Sequence, residues 1–272
     1  AAALVDFDVV WLYPEEMHSL CSCIIWPEKL KKEIEKQIEE HQGMTPAAVY
    51  VTSPDYLGGQ SDISALAKVC HDFDTILAVD NAHGAYLHFL EKSQHPMDLG
   101  ADLCCDSAHK TLPVLTGGAY LQISKNAPEY FVKHAKQAMA LFGSTSPSYL
   151  IMASLDLCNV YLENGYRDEL AETIAKLKRM KAGLKKRNWN IENSDPLKLT
   201  IDVAGYTTGY ELEVYLRKEG VQCEYADAKF VVLMVTPENT PEDLAVLSHA
   251  LERFNKNSPM AAKKAQLQPV RC

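Results

Sequence analysis

The stretch DSAHKTLPVLTGG, residues 106–118, sets His109 and Lys110 side by side after an apolar run and ahead of a proline and two glycines. A lysine amine is a nucleophile toward aldehydes: it forms an imine with them and can afterwards carry protons. Two further groups precede it, Asp80 at the end of the apolar run TILAVD and His83 three residues later. An amine, a carboxylate and an imidazole are the parts needed for covalent chemistry on a carbonyl compound with acid–base support. Each also has a plainer explanation when taken singly. Asp80 can cap a strand end, His83 can be a satisfied, half-buried histidine, and Lys110 can be a surface lysine with its stem laid along apolar groups.

These groups need elements to position them, and the sequence alternates in a way that supplies them. AAVYVTSP (47–54) is a short β-rich run ended by proline, and residues 62–73 then carry apolar groups at helical spacing, Ile63, Leu66, Ala67 and Cys70. TILAVDNAHG (75–84), ADLCCDSAHK (101–110) and GGAYLQIS (117–124) repeat the strand signal. Strands alternating with helices predict a largely parallel sheet covered on both faces, with ligand groups at the C-terminal ends of the strands, where Asp80, His83 and Lys110 fall. Gly117 and Gly118 serve the turn by which the chain re-enters the sheet. Upstream, Lys29, Lys31 and Lys32 interleave with glutamates, the pattern of a solvated helix face.

After Pro147 the texture changes. SYLIMASLDLCNVYLENG and RDELAETIAKLKRMKAGLKKR read as two long amphipathic helices, the first closed by Gly165 and the second basic toward its C-terminal end. Ser146 is placed to cap the first, with the helix starting at Pro147. A smaller α/β unit follows, with strands at 197–203, 221–225 and 229–236 and helices near 209–219 and 240–254. The domain reading is therefore a large domain over 1–146, interdomain helices with a small C-terminal α/β domain over 147–256, and a polar tail over 257–272.

Composition removes several function classes. With 272 residues and 47% hydrophobic content the chain can bury a core. No apolar run reaches the roughly 18 residues of a membrane helix and the opening residues do not read as a signal peptide, so the expectation is a cytoplasmic protein without membrane attachment. The net charge of −9 lacks the basic footprint of a nucleic-acid binder. Eight cysteines occur without a C-x-x-C pair, and Cys104 and Cys105 are adjacent in an apolar run. They read as free thiols in a reducing compartment, with no metal site.

A lysine beyond one strand, an aspartate ending an earlier one and histidines beside both form the set that a pyridoxal phosphate enzyme requires. The lysine binds the cofactor's aldehyde, and a carboxylate at the pyridine nitrogen keeps the ring protonated. Four segments in order, VTSPDYLGGQSDI, AVDNAHGAYLHF, DSAHKTLPVLTGGAYL and STSPSYLIMASLD, resemble the major domain of the Orn/Lys/Arg decarboxylase family, of the aspartate-aminotransferase fold type I, across about residues 5–255. The resemblance implies an α/β fold whose mostly parallel sheet is sandwiched by helices, with pyridoxal 5'-phosphate as cofactor. It implies Lys110 as the Schiff-base lysine, Asp80 as the partner of the pyridine nitrogen, and Ala82 and His83 lying against the ring. Ser107 and His109 would touch the phosphate side, and the hydroxyls of Ser144, Thr145 and Ser146 would lie near the cofactor where two subunits meet.

The implied reaction is decarboxylation of a basic amino acid, arginine, lysine or ornithine, in a homodimer or higher homo-oligomer. Two departures qualify the match. Gly117 stands where many family members have glutamine, which bears on the substrate. The phosphate-binding loop and ring-stacking histidine that family members carry earlier are not visible before His18, so the sequence reads as a truncated product, an excerpt or a protein completed by other means. Alternatives to the decarboxylase are a non-catalytic remnant or oligomerisation module of such an enzyme, and an aminotransferase or other lyase, since the same Lys–Asp pair serves all of these.

Overall fold

A computed structural model describes residues 6–14, 19, 21–143, 146–192 and 195–255. The chain divides into two compact units, Ala1–Asn164 and Gly165–Cys272, so the segment 147–164 groups with the first.

The first unit contains α1 (Pro27–Glu40), β1 (Ala48–Thr52), α2 (Ile63–Asp72), β2 (Ile76–Asp80), a 3-10 turn (Ala85–Phe89), β3 (Leu103–Asp106), the single turn α3 (Ala108–Thr111), β4 (Tyr120–Ile123), α4 (Glu129–Phe142) and α5 (Tyr149–Glu163). Its sheet runs β1-β2-β3-β4. The first three strands are parallel, as the alternation with helices predicts, and β4 returns antiparallel to β3. The connection from Asp106 to Tyr120 holds only the single turn α3 and no full crossover helix, and the chain comes back beside β3 in the opposite direction.

Local signals explain the helices. Asp62 caps α2 by accepting the Ala65 N–H at 3.0 Å. All four of its apolar positions, Ile63, Leu66, Ala67 and Cys70, are buried. Helix α1 opens with Pro27 where a backbone donor is not needed. It exposes Lys31 and Lys32 but buries Leu30 and Ile34, so it is more than a solvated face. The two helices share a core with Val49 and Val51 of β1 and Leu77 and Val79 of β2. Alternation then sends Tyr50, Asp80, Cys105 and Leu121 to the opposite face, where Tyr50 is 66% exposed. Helix α4 has no buried residue, so its pattern offered little to read. Helix α5 begins two residues later than the sequence suggests: Ser148, not Ser146, is its cap and accepts the Ile151 N–H at 3.4 Å.

The second unit contains α6 (Tyr166–Lys186), β5 (Asn190–Glu192), β6 (Lys198–Asp202), α7 (Gly209–Lys218), β7 (Tyr225–Ala226), β8 (Phe230–Met234) and α8 (Pro241–Arg253), with an antiparallel sheet ordered β5-β6-β8-β7. Gly165 adopts φ 90° immediately before α6, a left-handed conformation that favours glycine. Capping boxes at Thr208/Glu211 and Thr240/Asp243 fix the starts of α7 and α8. The expected strand at 221–225 contracts to the two residues of β7, and β5 is an addition whose three residues are too few for a period to be legible. Leu199, Ile201, Leu212, Leu216 and Val231 form a fully buried core. No helix among the described residues is long and apolar enough to cross a membrane.

Leu77 is fully buried at the centre of the first sheet. Leu77→Ala is expected to lower the unfolding free energy of this unit by about 2–5 kcal/mol, whereas Lys31→Ala should change it by less than about 0.5 kcal/mol, as measured by urea denaturation.

Candidate active site

The parallel strands of the first unit end at a common level, because the register pairs Thr52 with Asp80 and Asp80 with Cys105. Asp80 is the last residue of β2, and both of its carboxylate oxygens are engaged. Oδ1 accepts the Ala82 N–H at 3.1 Å, and Oδ2 accepts the Tyr50 hydroxyl at 2.9 Å. The strand-end cap anticipated for Asp80 therefore exists, and a second donor from the neighbouring strand accompanies it. Partial desolvation of the hydroxyl end, then the hydrogen bond and charge of Asp80, push the Tyr50 phenol well above its ordinary pKa, so it stays a donor.

Beyond Asp80 the chain turns sharply, with the Gly84 N–H donating to the Asn81 carbonyl at 2.8 Å. Glycine is required here because a Cβ at position 84 would come within 1.9 Å of Asn81 Oδ1. The turn directs His83 inward. Its side chain is buried, not half-buried as the sequence suggested, with its ring 4.7 Å from that of Tyr56 in an edge arrangement. Tyr56 belongs to a loop pinned by buried Asp55, whose Oδ1 accepts the Gly59 N–H at 2.7 Å and whose Oδ2 accepts the Cys23 N–H at 3.2 Å.

Lys110 lies on the single turn α3 beyond β3, and its Nζ is 3.4 Å from His83 Nε2. The turn holds because the Lys110 N–H donates to the Ser107 carbonyl at 3.0 Å and the Leu112 N–H to the Ala108 carbonyl at 2.8 Å. Ser107 precedes the turn without spending its hydroxyl on a cap. His109 donates from Nδ1 to the Gly118 carbonyl at 2.9 Å, which leaves Nε2 to face a ligand. Gly118 is fixed by this close return of the chain, since a Cβ there would lie 2.3 Å from Val114 Cγ1.

The structure thus brings Lys110 to His83, and Ala82 to Asp80, at adjoining strand ends, with Ser107 and His109 beside Lys110 at the same turn. Ser146 is exposed in the segment leading into α5, and Ser144 and Thr145 lie outside the described residues.

Sequence reasoning missed a network directly beneath this group. Asp106, the last residue of β3, is 1% exposed and accepts hydrogen bonds from Asn81 Nδ2 at 2.6 Å, from His95 Nε2 at 3.1 Å and from Gln122 Nε2. Desolvation pushes its carboxyl up, but the hydrogen bond and charge of His95, with the two amide donors, outweigh that and hold it below the usual range. Atoms of His95, Cys104 and Asp106 lie within 4.8 Å of one another, a spacing that could hold a metal ion. The amide donors already occupy the carboxylate, and burial followed by Asp106 pushes the Cys104 thiol above its ordinary pKa. The cluster is a hydrogen-bonding one. Nothing in the sequence marks His95 or Gln122; Asp106 alone was visible, as the first letter of DSAHK. The seven described cysteines are free thiols.

The family model for the major domain of Orn/Lys/Arg decarboxylases matches residues 2–201, and the chain belongs to that family. Its fold is that of the fold type I enzymes. Among solved structures it is similar to the Francisella novicida lysine decarboxylase LdcF, with a TM-score of 0.68 and 20% identity over 85% of this chain and 39% of that one. It is also similar to a pyridoxamine-pyruvate aminotransferase from Mesorhizobium loti, with a TM-score of 0.63 and 17% identity over 84% of this chain and 63% of that one. Among curated proteins, an arginine decarboxylase of Bacillus cereus is 26% identical over 80% of this chain and 50% of its own length. The uncharacterized protein YaaO of Bacillus subtilis is 32% identical over 68% of this chain and 40% of its own length. The chain therefore spans about half the length of the curated relatives it matches.

Asp106 supplies a pH test. Its folded pKa is depressed, so its contribution to stability is complete above about pH 4, the ordinary aspartate value, and is lost as pH falls through the lower folded value. Asp106→Asn, which faces a donor with a donor and leaves His95 without its carboxylate, is expected to cost about 3–5 kcal/mol at pH 7. The gap between wild type and variant should narrow below about pH 4, as read from urea denaturation across pH.

Proposed function

We propose that this chain carries the lysine-bearing site of a pyridoxal phosphate-dependent decarboxylase acting on a basic amino acid, arginine, lysine or ornithine, in an assembly of at least two subunits. The observation that carries the reading is the 3.4 Å approach of Lys110 Nζ to His83 Nε2, on the turn that follows Asp80 at the end of β2. Membership of the decarboxylase family and the arginine decarboxylases among the curated relatives support it.

The residues present suit the cofactor. An amine for the aldehyde, a carboxylate for the ring nitrogen, a small residue at Ala82 where a flat ring must approach, and the Ser107 hydroxyl with the His109 ring for the phosphate side form a matching set. When bound, pyridoxal phosphate supplies the electron sink into which the bond to the substrate's carboxylate can break. The chain's own groups do the rest. The Asp80 carboxylate holds a proton at the ring nitrogen, its orientation set by the Ala82 N–H and the Tyr50 hydroxyl. Lys110 offers the amine. His83 Nε2 stands where it can take a proton from that amine or return one, and the edge contact with Tyr56 limits its ring rotation. Burial of His83 keeps water from this end of the site. The resemblance gives Ser146, exposed ahead of α5, a part played across a subunit boundary.

Borohydride treatment of the protein with pyridoxal phosphate should trap one covalent adduct on Lys110, located by mass spectrometry, and Lys110→Ala should abolish it. Asp80→Asn should keep the adduct but reduce carbon dioxide release from the preferred of the three amino acids by roughly a hundredfold or more. An adduct that survives in Lys110→Ala, or near-normal turnover by Asp80→Asn, would refute the assignments.

A further inference from the structure

Tyr50 lies outside every segment that carries the family resemblance in its site, yet it donates to Asp80. It is on β1, two residues before Thr52, the register partner of Asp80. Parallel pairing and strand alternation put Tyr50 and Asp80 on one sheet face, and the diagonal offset between neighbouring strands is a distance that a tyrosine spans. The O···O distance is 2.9 Å, and the acceptor is a carboxylate, a combination stronger than a neutral pair. The other oxygen is held by the Ala82 N–H at 3.1 Å. A carboxylate offers about four lone-pair sites on two oxygens. Here one site on each oxygen is filled by a donor from a different strand or turn, so the plane of the carboxylate is set from both sides.

We infer that Tyr50 is a positioning residue: its hydroxyl fixes the Asp80 carboxylate in the orientation that a protonated heteroaromatic nitrogen must meet. The inference rests on the proposed function for what approaches Asp80, but not for the anchoring itself. Without the hydroxyl, Asp80 keeps a single anchor at Ala82 and can rotate about its side-chain bonds. A rotating carboxylate presents its free lone pairs to the incoming ring nitrogen only part of the time. The exposure of Tyr50 matters here: at 66% exposed the ring contributes little to the core, so loss of one oxygen atom tests orientation and not folding.

The experiment is Tyr50→Phe in the intact protein, first without cofactor. Amide hydrogen exchange at Ala82, whose N–H is bound to Asp80, is expected to accelerate about tenfold, because a carboxylate free to rotate is aligned with that N–H for less of the time. Exchange at Val79, one residue before Asp80, and the melting temperature should stay as in wild type. With pyridoxal phosphate added, the Lys110 adduct should still be trapped, while kcat falls about tenfold with KM for the amino acid unchanged. Unchanged Ala82 exchange would overturn the anchoring, whatever the protein's reaction. Acceleration at Ala82 and Val79 alike would show a structural role for Tyr50 and overturn it equally. Altered Ala82 exchange with no adduct on Lys110 would uphold the anchoring while removing the proposed function.

Discussion

The Asp106 carboxylate, sealed from solvent at the end of β3, is the point through which the arrangement of the site is set. A buried carboxylate is costly unless its lone pairs are filled, and here the donors come from separate parts of the first unit. Asn81 lies just past β2, Gln122 on β4 and His95 in the connection ahead of β3. Because Asn81 follows Asp80 and Asp106 precedes Ser107, the bond between them ties the chain leaving one strand to the chain leaving the next. The spacing from Asp80 to the turn that bears Lys110 is thereby fixed by two side chains that lie next to those of the site. The Asn81 N–H adds a second tie to the Cys105 carbonyl at 2.9 Å.

Around that point the sheet divides its labour by alternation. Val49, Val51, Leu77 and Val79 face α1 and α2 and supply the apolar burial that keeps the strands in register. Tyr50, Asp80 and Cys105 face the other way and are available for chemistry. The same two-residue period that builds the core therefore presents the aspartate. A slip of one residue between β1 and β2 would lose both at once.

Much of this was legible in the chain itself. The three parallel strands were visible because each is a short apolar run with turn residues after it, and α2 because its four apolar residues recur at helical spacing beneath a capping aspartate. Asp80, His83 and Lys110 were visible because reactive side chains directly after such runs stand out against them. The boundaries were less legible. Helix α5 starts at Tyr149 because Ser148 wins the capping role over Ser146, a competition between two equivalent hydroxyls that spacing cannot judge. Helix α4 buries nothing and β5 is three residues long, so neither leaves a period to read.

Local pattern and residue type are enough to set the elements, the order in which they occur, the family to which they belong and the identity of the reactive groups. Which of those groups meet is settled in three dimensions. His95, Gln122 and Asn81 converge on Asp106 from positions up to 41 residues apart in sequence between Asn81 and Gln122, and Tyr50 reaches Asp80 across 30 residues. No periodicity records such pairings. A hydrogen bond needs an approach of about 3 Å, and residues distant in sequence acquire that proximity only when the sheet register has closed.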